Sequence, residues 1–363
     1  MMRHVLTRSG GIAGVAVGLL LVAGPVGAQV QLSSKSMELK IDGRIHFQYN
    51  HTSAAEALLG NTFFIRRARL EIEAKVNDFI SGRIQPEFGE GTVGLRDAFV
   101  TLNFGPGLRT TFGQFKRPFD VFELTSSSQI LVIERAGGVR GIPGCSGVSS
   151  VCSLSRFTEK LGFSDRDIGV MVDGALGSSG FKYYASITNG RGPNNSIDEN
   201  ATKSYTGRVE YAVSGLRIGG HIGVHDYPAD TLGTNKYATA FGADVDWGHF
   251  EKPGPHVQAG IVYGDNWLNV VATDPSTFVS GQVIATYMFP VNENKYLYGI
   301  EPLVRASWGD PDTDVSDDTG WIFTPGLVLY MAGRNKFAVN VDVWKPAIGN
   351  TEYSIKAQTY LYF

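Results

Sequence analysis

Two arginines two residues apart, Arg67 and Arg69, open the question of what this chain does. They sit in the run FIRRARLEIEAKV (64–76), whose alternation reads as a β-strand, so their side chains project to one side. A guanidinium fork matches a carboxylate or phosphate in two places, and two forks in sequence could pass an oxyanion from one to the next. A second basic group follows downstream: Lys116 and Arg117 in FGQFKRPF, then Arg135 and Arg140. It lies where strand-like alternation stops and an irregular segment continues to about residue 166. Irregular segments that long inside a compact domain are usually functional or disordered.

These residues need elements that carry them. Period-2 segments bounded by turn residues give sixteen strands, near 38–50, 61–76, 79–88, 93–104, 108–115, 167–176, 180–189, 203–213, 216–226, 237–247, 256–265, 277–289, 297–308, 320–331, 336–345 and 354–363. Short junctions such as Asn77-Asp78 and Ser214-Gly215 alternate with longer polar ones, including 116–166, 190–202, 266–276 and 309–319. Two junctions blur the pattern: 248–255 is long for a turn, and 89–92 is short for a loop. The expectation is a 16-stranded antiparallel transmembrane β-barrel with short periplasmic turns, long extracellular loops and the third loop folded into the pore. An even strand number lets the first and last strands pair and leaves no edge. In the last strand Ile355, Ala357, Thr359, Leu361 and Phe363 share one face, with Lys356, Gln358, Tyr360 and Tyr362 on the other. No apolar run reaches the 18 or so residues of a spanning helix.

The polar faces give an inventory of the lumen: Arg44 with Lys40, Asp42 and His46; Arg67, Arg69, Glu71, Glu73 and Lys75; then Arg83, Arg109, Arg208, Arg217 and Arg305 among Glu87, Asp97, Asp244, Asp246, Glu301 and Asp342. Strict alternation puts Arg66 on the other face, at a membrane interface. Mixed signs of this kind often form transverse pairs that support the wall.

The ends set the compartment. Residues 1–28 carry Arg3 and Arg8, the apolar run 12–23 and small residues to Ala28, which reads as a secretory signal peptide. The mature barrel would span 29–363 with 30 basic and 35 acidic residues, a formal charge of −5, so no basic excess points to nucleic acid. In an oxidising compartment Cys145 and Cys152 would pair and stiffen the long loop. The terminal Phe363 resembles the signal read by the barrel-assembly machinery of bacterial outer membranes.

The runs FIRRARL (64–70), RDAFVTL (96–102), FGQFKRPF (112–119), LTSS (124–127) and IER (133–135) resemble the phosphate-selective porin O and P family. The resemblance implies a trimeric outer-membrane porin passing phosphate or polyphosphate along arginines to a lysine-containing constriction. On this chain it places Arg66 and Arg67 at the paired arginines, and Lys116 and Arg117 where the fifth strand enters the constriction loop. The eighth and ninth strands offer only Arg208 and Arg217 where an arginine ladder would want several. The reading is therefore a channel for small hydrophilic solutes with anion preference, with a general porin as the alternative.

Two other classes fit less well. A barrel enzyme would need a nucleophile and base held together, and none of the seven histidines shows that pattern in the sequence. His221 and His225 share a strand face but lie too far apart to chelate a metal alone. Asp310, Asp312, Asp314, Asp317 and Asp318 could bridge lipopolysaccharide through divalent ions, but they lack the EF-hand spacing and default to a solvated loop. No catalytic residue, cofactor or metal ligand is assigned.

Overall fold

The computed structural model describes residues 30–33, 37–54, 60–138, 144–195, 197–198, 202–228, 235–271, 274–331, 334–347 and 349–363. The expected signal peptide and Arg140 lie outside them.

A short strand β1 (Val30–Ser33) precedes sixteen barrel strands. The first eight are β2 (Glu38–Thr52), β3 (Asn61–Lys75), β4 (Ile80–Glu87), β5 (Gly94–Asn103), β6 (Arg109–Lys116), β7 (Arg166–Ala175), β8 (Phe181–Thr188) and β9 (Ser204–Val213). The others are β10 (Leu216–Pro228), β11 (Asn235–Gly248), β12 (Gly254–Val271), β13 (Asp274–Pro290), β14 (Gly299–Asp310), β15 (Gly320–Tyr330), β16 (Lys336–Lys345) and β17 (Glu352–Tyr362). Every neighbouring pair is antiparallel, and β17 returns to β2 through Ser354↔Thr52 to Tyr362↔Arg44. Closure satisfies every edge, which a sheet in lipid requires. Phe363 completes the seam by exchanging backbone hydrogen bonds with Gly43 at 3.0 and 2.6 Å.

Burial alternates along the strands as two-sided walls demand. On β16 Ala338, Asn340, Asp342 and Trp344 are buried while Phe337, Val339, Val341 and Val343 are half-buried on the outside. Two bands of exposed aromatics ring the exterior, with Phe79, Phe104, Trp247 and Phe289 near the turns and Phe63, Tyr237, Trp308 and Trp321 near the loops. Such girdles mark membrane–water interfaces. The turns are tight: Asn77 Oδ1 accepts from the Phe79 and Ile80 amides at 2.9 and 2.7 Å, fixing the chain reversal.

Three local departures matter. The strands β12 and β13 run on past the expected loop 266–276, with a register shift between Asn266 and Val270. That shift lets Trp267 turn inward, where its Nε1 donates to the Leu161 carbonyl at 2.9 Å. The long turn after β11 also folds inward, packing Phe250 against the interior core. On β3, Arg66 is the extra residue of a bulge, since His46 pairs Arg67 while the next residue, Phe47, pairs Ile65. The expected lipid-side placement of Arg66 is thus corrected: the bulge turns Arg66 and Arg67 inward together. An arginine facing lipid at mid-membrane costs about 2–4 kcal/mol, and the bulge avoids that.

The interior holds the third loop, L3 (117–165), with two short helices α1 (Val121–Leu124) and α2 (Leu154–Lys160). Asp120 caps α1 by accepting from the Glu123 amide at 2.8 Å, and the Ser153 side chain caps α2. L3 is not suspended in water. Phe119, Phe122, Val132, Leu154, Phe157 and Phe163 pack on Ala240, Val262, Phe278, Ile284 and Leu303 from the wall. Inward glycines make room: a side-chain carbon at Gly260 would stand 3.1 Å from the Phe122 ring, and one at Gly309 would collide with Phe157. Cys145 and Cys152 are disulfide-bonded, Cα–Cα 5.1 Å, and buried. The loop therefore fills the side of the barrel formed by β10–β16 and leaves the side formed by β2–β6 open.

Candidate functional site

The open side is a cavity of about 1070 Å³ between L3 and the β2–β6 wall, reaching the periplasmic end at Lys40, Arg334 and Phe363. Eleven Lys and Arg side chains and eight carboxylates line it, so it is net basic although the chain as a whole is acidic. Arg44, Arg66, Arg67, Arg69, Arg83, Lys116 and Arg135 are all among them.

Most of these cations are already held. Arg69 pairs with Glu87, and Arg44 Nη2 lies 3.0 Å from Glu71. Both also donate to the Ser127 hydroxyl of L3, at 2.8 and 2.9 Å, so one loop oxygen sits between two guanidiniums. Arg66 takes Glu134 through a bidentate contact of 2.6 and 3.0 Å and Glu90 at 3.0 Å. Lys116 and Arg135 share Glu123, each at 3.5 Å, and both donate to loop carbonyls. Arg83 pairs with Glu73 and Asp97.

Arg67 differs. It is 4% exposed, its Nε and Nη1 have no hydrogen-bond partner, and no carboxylate among the described residues pairs with it. A buried donor without an acceptor is rare enough in folded proteins to require a reason. His46, its neighbour across the strand pair, is likewise buried with both ring nitrogens unpartnered.

The remaining expected lumen cations lie away from this cavity. Arg208 is locked between Asp244 and Glu210 and donates to the Phe119 carbonyl at 2.6 Å, bracing L3. Arg305 bonds Asp342 at 2.8 Å and supports the Glu134 and Arg135 carbonyls at 2.8 Å each. Arg117 anchors the root of L3 through the Ser164 carbonyl at 2.8 Å, with Asp167 3.9 Å away. Arg109 and Arg217 pair with Asp173 and Asp246 near the turns. These five are wall and loop supports in geometry.

Sequence reading missed Arg96, Arg166 and the L3 carboxylates Glu123, Glu134 and Glu159, all of which line the cavity. Arg96 enters because β5 carries an extra residue opposite Ile84 and Pro86. Its signal was an adjacent charged pair, Arg96-Asp97, inside a strand that alternates elsewhere. L3 carboxylates lie outside any strand period, and nothing local announced them. Glu159 faces lumen water deep in the barrel, and burial together with Glu123 and Asp165 pushes its carboxyl up to about 7.

The structure also gathers Ser204, His225 and Asp226, which the sequence kept apart. The Ser204 hydroxyl donates to Asp226 and lies 3.2 Å from His225 Nδ1. Here the hydroxyl sits between imidazole and carboxylate, whereas a nucleophile needs the base between itself and the carboxylate. Among the described residues no cluster of three or more His, Cys, Asp or Glu could hold a metal.

A family model for phosphate-selective porin O and P matches residues 39–246, more than half of the chain. The chain belongs to this porin family. Solved structures with the same fold include the outer membrane channel DcaP of Acinetobacter baumannii, 14% identical over 91% of this chain and 99% of that one, TM-score 0.62. The trimer form of OmpT of Vibrio cholerae matches at 11% identity over 90% and 100%, TM-score 0.59. OmpF of Salmonella typhi, in complex with daunomycin, matches at 12% over 92% and 100%, TM-score 0.59. No curated protein sequence matched. The porin is accordingly an outer-membrane channel with a closed sixteen-stranded barrel.

Proposed function

We propose that this porin lets small hydrophilic solutes diffuse across the outer membrane with a preference for anions, phosphate among them. The observation that carries the reading is Arg67, an unpaired buried guanidinium on a cavity whose cations outnumber its carboxylates. A water-filled path with excess fixed positive charge concentrates anions and repels cations. The family description adds phosphate as the named solute. The ion pairs on Arg44, Arg66, Arg69, Lys116 and Arg135 favour weak retention over a tight phosphate filter, and they keep the general-porin reading alive for neutral solutes.

The channel works as a homotrimer in this reading, which the trimeric OmpT relative supports. Phe363, half-exposed at the seam, is the contact for assembly machinery, and the aromatic girdles seat the barrel against lipid and lipopolysaccharide.

Proteoliposomes test the proposal. Entry of phosphate should exceed that of a neutral sugar of similar size when purified protein is inserted. Equal rates for phosphate and sugar would leave only the general porin.

A further inference from the structure

Arg66 and Arg67 stand together at the β3 bulge, yet their surroundings differ. Arg66 gives its Nε and Nη2 to the two oxygens of Glu134, at 2.6 and 3.0 Å, the same fork geometry a solute carboxylate or phosphate would use. Arg67 has no such partner among the described residues.

Glu134 comes from L3, not from the wall, and its backbone is fixed by strands other than the one it reaches. Arg305 of β14 donates to the Glu134 carbonyl at 2.8 Å, and Asn340 of β16 accepts from the Ile133 amide at 2.7 Å. The side chain then reaches Arg66 on β3. A carboxylate is thus anchored on β14 and β16 and presented to a guanidinium on β3, at the lumen surface. Burial alone would raise the Glu134 carboxyl, but Arg66 overrides burial and holds it well below the usual carboxylate range. It is ionised throughout the pH range in which a porin works.

We propose that Glu134 is a built-in counter-anion, occupying the Arg66 fork so that Arg67 is left as the uncompensated charge beside the path, and thereby setting how tightly the pore retains phosphate-like dianions. Without Glu134 the Nε–Nη2 edge of Arg66, whose Nη1 stays on Glu90, would face the path beside the Arg67 charge, grip a tetrahedral oxyanion and slow its passage; with that edge filled, the anion is attracted and let go. Conduction needs binding weak enough to leave. The inference rests on the anion-channel reading above and names the group that tunes it.

The test uses full-length protein in planar bilayers: wild type, Glu134→Gln, and the double variant Arg66→Gln/Glu134→Gln. Removing one fixed charge beside an aqueous path should move the chloride-to-potassium permeability ratio toward chloride by about fivefold. In Glu134→Gln, inorganic phosphate should block chloride current at about tenfold lower concentration, the scale of one additional charge-assisted hydrogen bond to the anion. The double variant should return the phosphate block to the wild-type range. Unchanged block in Glu134→Gln overturns the proposal, and so does tighter block that persists in the double variant, because Arg66 would then not be the group released. If Glu134→Gln fails to give the folded, heat-modifiable form, Glu134→Asp decides instead: its shorter carboxylate cannot span to Arg66 in the same fork, so block intermediate between wild type and the expectation above supports the proposal, and wild-type block refutes it. A cation-selective wild type would refute the anion-channel reading by itself, while the shift between wild type and variant still decides the role of Glu134.

Discussion

Replacing Arg67 by Gln removes the cavity cation that has no partner among the described residues, while keeping a side chain of similar reach. A unit charge about 4 Å from a passing anion contributes about 1 kcal/mol in water and about 4 kcal/mol at an effective dielectric of 20. The Arg67 site borders an open, polar cavity of about 1070 Å³, so the aqueous end of that range applies. One kcal/mol is about a fivefold change in local anion occupancy. Bilayer recordings under a potassium chloride gradient should therefore show the chloride-to-potassium permeability ratio of Arg67→Gln falling about two- to fivefold. Arg217→Gln is the control. Arg217 is paired with Asp246 near the turns and lies outside the cavity, so its loss should leave the permeability ratio unchanged. An unchanged ratio in Arg67→Gln, or a larger change in Arg217→Gln, would refute the claim that unpaired charge rather than total charge sets selectivity.

Other expectations follow from the same geometry. Phe119, fully buried and stacked on Phe163 at 5.8 Å, holds L3 to the wall; Phe119→Ala should cost the loop docking about 3–5 kcal/mol and show as larger, noisier single-channel conductance. Below pH 7 the Glu159 carboxyl takes up a proton and one negative charge leaves the lumen, so anion preference should rise between pH 8 and pH 6 and stay flat in Glu159→Gln. Opening the Cys145–Cys152 bond frees a short loop worth about 2.5 kcal/mol, so Cys145→Ser/Cys152→Ser should increase hydrogen exchange in L3 while leaving the permeability ratio alone. Deleting Phe363 removes two seam hydrogen bonds with Gly43 and should reduce the heat-modifiable band on gels.

The strands were legible because lipid on one side and water on the other impose a period of two that few other folds keep over sixteen segments. Their ends came within a few residues, except where β12 and β13 run on through the expected loop and a register shift hides the pattern. Faces were legible only while alternation held. Arg66-Arg67 and Arg96-Asp97 broke it, and adjacent charges in a lipid-facing strand now read as the mark of a bulge, since strict alternation would send one into lipid. The division of the interior was hidden for a different reason. L3 chooses the β10–β16 side because its phenylalanines meet inward Gly260 and Gly309 there, a long-range fit between segments more than a hundred residues apart. Pairing was hidden too: that Arg69 is satisfied and Arg67 is not depends on Glu87 and Ser127, which only the fold brings near.

On the anion-channel proposal the lumen carries a net positive field through Arg67 and its neighbours. The reversal potential of the wild-type channel in a potassium chloride gradient at pH 7 reads that field directly. A potential on the chloride side of zero, together with reduction of the chloride current by millimolar phosphate, is the predicted result; a potential on the potassium side would contradict it.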